Sequence, residues 1–206
     1  MVERPKFTHA DVEIMEREPV YEGFFRMIKY RVRHRLFGGG WSNPASRELF
    51  ERGPAVGVLP YDPATDRVAL IEQFRIGALE NPETPWLYEV VAGVVEEDES
   101  AGDVAAREMD EEAGIRGARL IPLADYLVSP GGTNERMILY CGLVDLPEQG
   151  GGVHGRDDEG EDIRLHVFDR TEALEALERG LCNNAPLTIA LQWLALHHRR
   201  LRNEFG

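Results

Sequence analysis

Cysteine is close to absent. Cys141 and Cys182 are the only two in 206 residues, far apart and without metal-ligand spacing. Neither a disulfide framework nor a thiolate metal site is expected, and a reducing compartment fits. Long apolar runs are missing too. No stretch approaches the length that crosses a bilayer, and Glu3, Arg4 and Lys6 are not followed by the apolar segment of a secretion signal. Basic residues are the third shortage: Lys and Arg number 23 against 37 Asp and Glu, a formal charge of −14. That balance speaks against the cationic footprint that nucleic-acid binding needs. The expectation is a cytoplasmic chain with neither a membrane nor a nucleic acid as partner. An anionic small molecule stays open, because a bound divalent cation inverts the local field.

What is present supports a core, since 43% of residues are hydrophobic, enough for one medium domain with a small appendage. Residues 20–36 end in strict alternation. Ile28, Tyr30, Val32, His34 and Leu36 share one face and Lys29, Arg31, Arg33 and Arg35 the other, the period of a strand with one buried side. His34 is read as a packed histidine, and the basic row as a solvated face balancing nearby acid. Gly38–Gly40 break the chain before a second strand at Arg47–Glu51. Residues 1–53 thus read as a β-rich arm and 54–206 as the main domain.

In that domain strands are expected at Ala55–Pro60, Val68–Phe74, Trp86–Val94, Leu120–Val128, Met137–Leu143 and Ile163–Phe168, with a turn at Asp62-Pro63. Helical periodicity marks Ala101–Ala113, Glu172–Arg179 and Pro186–Arg200. Capping boxes at Ser100/Asp103 and Asp169/Glu172 start the first two, and Gly114 and Gly180 stop them. Asp145–Asp162 is Gly- and acid-rich without periodicity, a loop long enough to suggest function.

The chemistry concentrates in residues 93–115, GVVEEDESAGDVAAREMDEEAGI. On a helix, Glu108, Glu111 and Glu112 project from one face. Three crowded carboxylates repel unless water screens them or a cation binds them, and hard oxygen donors suit magnesium or manganese over zinc. An exposed acidic helix is the plain alternative. The surrounding pattern changes the balance: Gly93, Glu99, Arg107, Glu108, Met109, Glu111, Glu112, Gly114 and Ile115 stand at every position of the Nudix box.

On those residues the chain resembles the Nudix hydrolase superfamily. The resemblance implies an α+β Nudix fold, a mixed β-sheet flanked by helices in an αβα sandwich, carrying an N-terminal β-rich arm. It implies Mg2+-dependent (or Mn2+-dependent) hydrolysis of a nucleoside diphosphate linked to another moiety. Glu108, Glu111 and Glu112 would hold metal, with the carbonyl of Ala92, while Arg107 and Glu99 orient the cluster.

The likeness extends to GFFRMIKYRVRHRLF, RELFERG, SPGGTNER with Pro130, EGEDIRLHV and ALQWLALHH, which resemble the bacterial ADP-ribose pyrophosphatase branch. That implies a nucleotide-sugar substrate, ADP-ribose, cleaved to AMP and ribose 5-phosphate. Phe24 and a partner subunit's Arg47 would sandwich the adenine, within a homodimer built through the arm. Arg75 would clamp the diphosphate or its ribose, and Glu135 would recognise the terminal ribose. Glu159 in the acidic loop would be the general base and Glu161 a further metal ligand, with Glu112 and Arg107 completing the catalytic set. Plain alternatives stay open: core packing for Phe24, a surface ion pair for Arg47, a merely solvated loop. The rival activities are pyrophosphatases for GDP-mannose, ADP-glucose or NADH. A non-catalytic ADP-ribose sensor would be expected to carry a degraded box and a DNA-binding appendage, and this chain has neither.

Overall fold

Ser100 and Gly114 bracket the first helix. In the computed structural model, which describes residues 1–156, 158 and 160–206, α1 runs Ala101–Ala113. Ser100 Oγ accepts the Asp103 N–H at 3.2 Å, a side-chain cap for an otherwise open amide. The Asp103 carboxylate takes the Ser100 hydroxyl at 2.6 Å and not the Ser100 N–H, so the expected box is only half formed: the cap is present and its reciprocal backbone bond is not. Gly114, at φ +64°, ends the helix with its N–H on the Asp110 carbonyl. Arg170–Glu178 forms α2, where Asp169 N–H reaches Glu172 Oε2 at 3.1 Å. Ala185–Phe205 forms α3, capped by Asn184 Oδ1 on the Leu187 N–H.

Two compact units make up the chain. The first comprises Met1–Gly53 with Leu127–Glu135. Its strands β1 (Val12–Glu22), β2 (Arg26–His34) and β3 (Ala45–Glu51) form an antiparallel sheet in that order. The basic row of β2 meets an acidic row on β1: Arg33–Glu13 at 2.6 Å, Arg31–Glu16 at 3.2 Å and Lys29–Glu18 at 3.8 Å. Opposite charges facing across strands stabilise the pairing modestly. On the other face burial fades along the strand, from Ile28 buried through Tyr30 and Val32 half-buried to His34 exposed. The expected packing of His34 does not occur, because this unit holds no α-helix to cover that end of the face.

The second unit, Pro54–Tyr126 with Arg136–Gly206, contains β4 (Pro54–Asp62), β5 (Arg67–Phe74), β6 (Trp86–Glu89), β7 (Val91–Val94), β9 (Arg136–Leu143), β10 (Val153–His154) and β11 (Ile163–Asp169). With β8 (Arg119–Leu127) they form a mixed sheet ordered β10-β11-β5-β4-β9-β8, with β6 beside β5 and β7 beside β4. The β4–β9 pair is parallel. The expected strand Trp86–Val94 is two strands, since the chain leaves β5 for β4 at Val90. Alternation sorts the faces. Val56, Val58, Ala69, Ile71 and Val91 pack on Val104, Ala105, Met109 and Ala113 of α1. Leu187, Leu191 and Leu194 are buried on α3, which contacts β4, β6 and β9. Helices on both faces of a mixed sheet give the αβα sandwich.

Candidate active site

The α1 face that does not enter the core carries the carboxylates. Glu112 is 3% exposed, Glu108 has a side chain 12% exposed, and Glu111 is more open at 30%. Close approach of α1 to β7 explains the burial. Gly93 lies directly under Glu108, and a Cβ there would overlap its carboxylate, so the box glycine is required for space, not for its backbone angle. Ala92, beside it, donates its N–H to Glu112 Oε2 at 2.9 Å.

Arg107 binds the cluster from its rim. Its guanidinium donates Nε and Nη2 to the two Glu99 oxygens at 3.1 Å each, and Nη1 to Glu108 at 2.6 Å and Glu111 at 3.3 Å. Those bonds hold the Glu99 carboxyl below its ordinary range. Among the described residues no cation hydrogen-bonds Glu112. Burial, reinforced by the charges of Glu108 and Glu161, pushes it up to about 8, against the relief of the Ala92 N–H and Arg75. Glu108 is also raised, by burial first. Among the described residues no three His, Cys, Asp or Glu side chains already close around a cation. Yet the donors fit one: hard oxygens on one helix face, the most buried of them hydrogen-bonded to no cation among the described residues.

Arg75 follows β5, where Glu89 of β6 fixes it. Glu89 Oε2 accepts Arg75 Nε and Nη2, both at 2.8 Å, and Gln73 Nε2 at 3.2 Å. The sequence reading missed Glu89 and Gln73. Its available signal was a polar Gln73 two residues beyond Ile71 on the buried face of an apolar strand, and Gln73 is 6% exposed. Glu161 lies close enough for its charge to bear on Glu108 and Glu112, and its Oε2 accepts the Arg156 N–H at 3.0 Å. Glu159 lies outside the described residues.

The second unit therefore brings together Ala92, Glu99, Arg107, Glu108, Glu111 and Glu112, with Arg75 and Glu161 near them. Phe24, Arg47 and Glu135 belong to the first unit. Phe24 is 94% exposed, its ring edge-on to Phe25 at 4.7 Å, so it is not a core residue. Arg47 pairs in register with Tyr30, whereas the turn bearing Phe24 lies beyond the Arg26–Glu51 pair, so the two do not meet within one copy. Arg47 Nη1 donates to the Ser46 carbonyl at 2.8 Å. Glu135 faces Arg52 Nε at 3.5 Å. The SPGG turn closes through Gly132 and Thr133 N–H groups on the Ser129 carbonyl.

The largely buried Glu108 over Gly93 and the buried Glu112 on the Ala92 N–H stand with the more open Glu111 and the bracing Arg107 on one helix packed over a mixed sheet. A family model of the NUDIX domain matches residues 51–188; the chain belongs to this family of hydrolases. It is similar to the ADP-ribose pyrophosphatase of Escherichia coli (strain K12), at 52% identity over 97% of this chain and 95% of that protein. The Haemophilus influenzae ADP-ribose pyrophosphatase is 42% identical over 100% of this chain and 95% of its own. A GDP-mannose pyrophosphatase from Cronobacter sakazakii is more distant, at 31% identity over 90% of this chain and 96% of its own. A crystal structure of an ADP compounds hydrolase shares the fold, with a TM-score of 0.70 at 20% identity over 95% of this chain and 96% of that one.

Proposed function

We propose that this Nudix hydrolase cleaves the pyrophosphate of ADP-ribose, giving AMP and ribose 5-phosphate, with magnesium as its metal and manganese as a substitute. The observation that carries the reading is one helix that seats Glu108 on Gly93, holds Glu112 on the Ala92 N–H and links Glu108 to Glu111 through Arg107, in a chain alike over nearly its full length to ADP-ribose pyrophosphatases. When bound, the metal supplies positive charge that neutralises the pyrophosphate oxygens.

The remaining roles fall to the chain. Glu108, Glu111 and Glu112, with the Ala92 carbonyl, hold the cation. Arg107 and Glu99 keep those carboxylates aimed. Arg75, pinned on one edge by Glu89, offers its remaining N–H groups to a phosphate or ribose oxygen. Glu159 takes the proton of the attacking water, and Glu161 adds a metal contact. Phe24 stacks on the adenine from one side and Arg47 of a second copy from the other, with Glu135 on the terminal ribose. The separation of Phe24 from Arg47 within one copy supports a homodimer formed through residues 1–53. No helix among the described residues is long and apolar enough to cross a membrane, and a cytoplasmic location belongs to this proposal.

The test is hydrolysis of ADP-ribose, ADP-glucose, GDP-mannose and NADH by the purified protein, with magnesium or with EDTA, and identification of products. Metal-dependent AMP and ribose 5-phosphate, with ADP-ribose preferred in kcat/KM, is the expected result. Preference for another compound would withdraw the roles of Phe24, Arg47 and Glu135 and keep the metal site.

A further inference from the structure

The acidic loop returns to the sheet through β10, and there it is fastened to the end of α1. Gly155 donates its N–H to the Glu111 carbonyl at 3.0 Å, one of the last-turn acceptors that a helix cannot satisfy itself. Beside this bond the half-buried His154 ring lies over Gly114; its Cε1 would stand 3.1 Å from a Cβ there. Gly155 has φ +98°, in the region that side chains rarely adopt. A Cβ on it would stand 2.6 Å from Glu161 Cβ, 3.2 Å from Glu161 Oε2 and 3.3 Å from Ile163 Cδ1. Glu161 in turn donates its N–H to the Arg156 carbonyl at 3.2 Å and accepts the Arg156 N–H at 3.0 Å. Residues 156 and 161 are thus tied together, and Gly155 joins them to α1 at Glu111.

We propose that Gly155 is a positioning residue: it seats the root of the acidic loop on the helix that bears the glutamates and so sets where the Glu161 carboxylate stands against them. Both requirements fall on the same residue, a left-handed backbone to deliver its N–H to Glu111 and no side chain so that Glu161 can lie against it. The inference rests on the metal-site reading above. Gly151 supplies the internal comparison, because it sits in the same loop at φ +146° with nothing within 4 Å of a Cβ.

Four proteins test the proposal: Gly155→Ala, Gly151→Ala, Glu161→Gln and the Gly155→Ala/Glu161→Gln double variant. Mn2+ binding is read by electron paramagnetic resonance, and ADP-ribose hydrolysis as a function of magnesium. Displaced outer contacts of a metal site typically cost about 10–100-fold in affinity or activity, so Gly155→Ala should weaken Mn2+ binding about 10-fold. It should raise the half-saturating magnesium concentration in step. In the Glu161→Gln background the same change should add less than about 2-fold, because both act through one carboxylate. Gly151→Ala should stay within about 2-fold of wild type. Wild-type Mn2+ affinity in Gly155→Ala, or an undiminished loss in the Glu161→Gln background, overturns the inference while leaving the metal site standing. Failure of the wild type to bind Mn2+ overturns both. Should Gly155→Ala not fold, amide exchange in the wild type decides: the Gly155 N–H is expected to be protected and slowed further by magnesium, and free exchange refutes the joint.

Discussion

Glu112 should make the metal-free protein less stable as pH rises. Its carboxyl is buried with no hydrogen-bonded cation among the described residues, and burial moves its value from the ordinary 4.5 to about 8. A raised folded-state value means that the fold favours the neutral acid. The stability held by that neutral group is fully present below 4.5 and is lost as pH rises through about 8. At 1.36 kcal/mol per unit, the interval corresponds to an upper bound of about 5 kcal/mol, a large share of a domain's total. The assay is urea unfolding in EDTA at a series of pH values across that interval, for wild type and Glu112→Gln. Glutamine keeps the volume and still accepts the Ala92 N–H, and subtracting the two curves cancels the titration of groups not coupled to Glu112, leaving that carboxyl with its neighbours Glu108 and Glu161. Wild type should lose several kcal/mol relative to the variant toward pH 8, and magnesium should restore it but not the variant, since a ligand that binds only the folded state stabilises it. Parallel curves in EDTA would refute the reasoning, because they would mean that the Glu112 carboxylate ionises at no cost to the fold.

Three further outcomes are expected. Asp66→Asn should cost about 2–3 kcal/mol in urea unfolding, since Asp66 accepts the Tyr61 hydroxyl at 2.8 Å and Arg170 Nε and Nη2 at 2.8 and 2.9 Å, all partly buried. Phe24→Ala should leave thermal stability unchanged, Phe24 being 94% exposed. It should raise KM for ADP-ribose about 10-fold, within the range of one lost base stack; steady-state kinetics and a melting curve check both. Glu89→Gln removes the charge that fixes Arg75 at 2.8 Å. It should lower kcat/KM about 10-fold or more, with little change in metal affinity, as titration with Mn2+ would show.

The sequence alone determined what is local or periodic. Ser100, Gly114 and the spacing of Glu108, Glu111 and Glu112 define α1 and its acidic face, because a cap, a left-handed stop and a 3.6-residue repeat need nothing distant. The box pattern determined the family for the same reason: its glycine, arginine and glutamates serve one helix and the strand before it. β1 was not legible, since Val12–Glu22 is exposed along nearly its whole length and its charged residues, at 13, 16, 17, 18 and 22, follow no period of two; it is a strand through its backbone pairing with β2, whose basic row faces its acids. His34 went the other way, apolar in pattern and exposed in place. Tertiary structure alone decided that Glu112 is the buried acid and Glu111 the open one, that Glu89 pins Arg75, and that Gly155 meets the end of α1. Each depends on which strand lies under which helix, and that is set by packing between segments far apart in the chain.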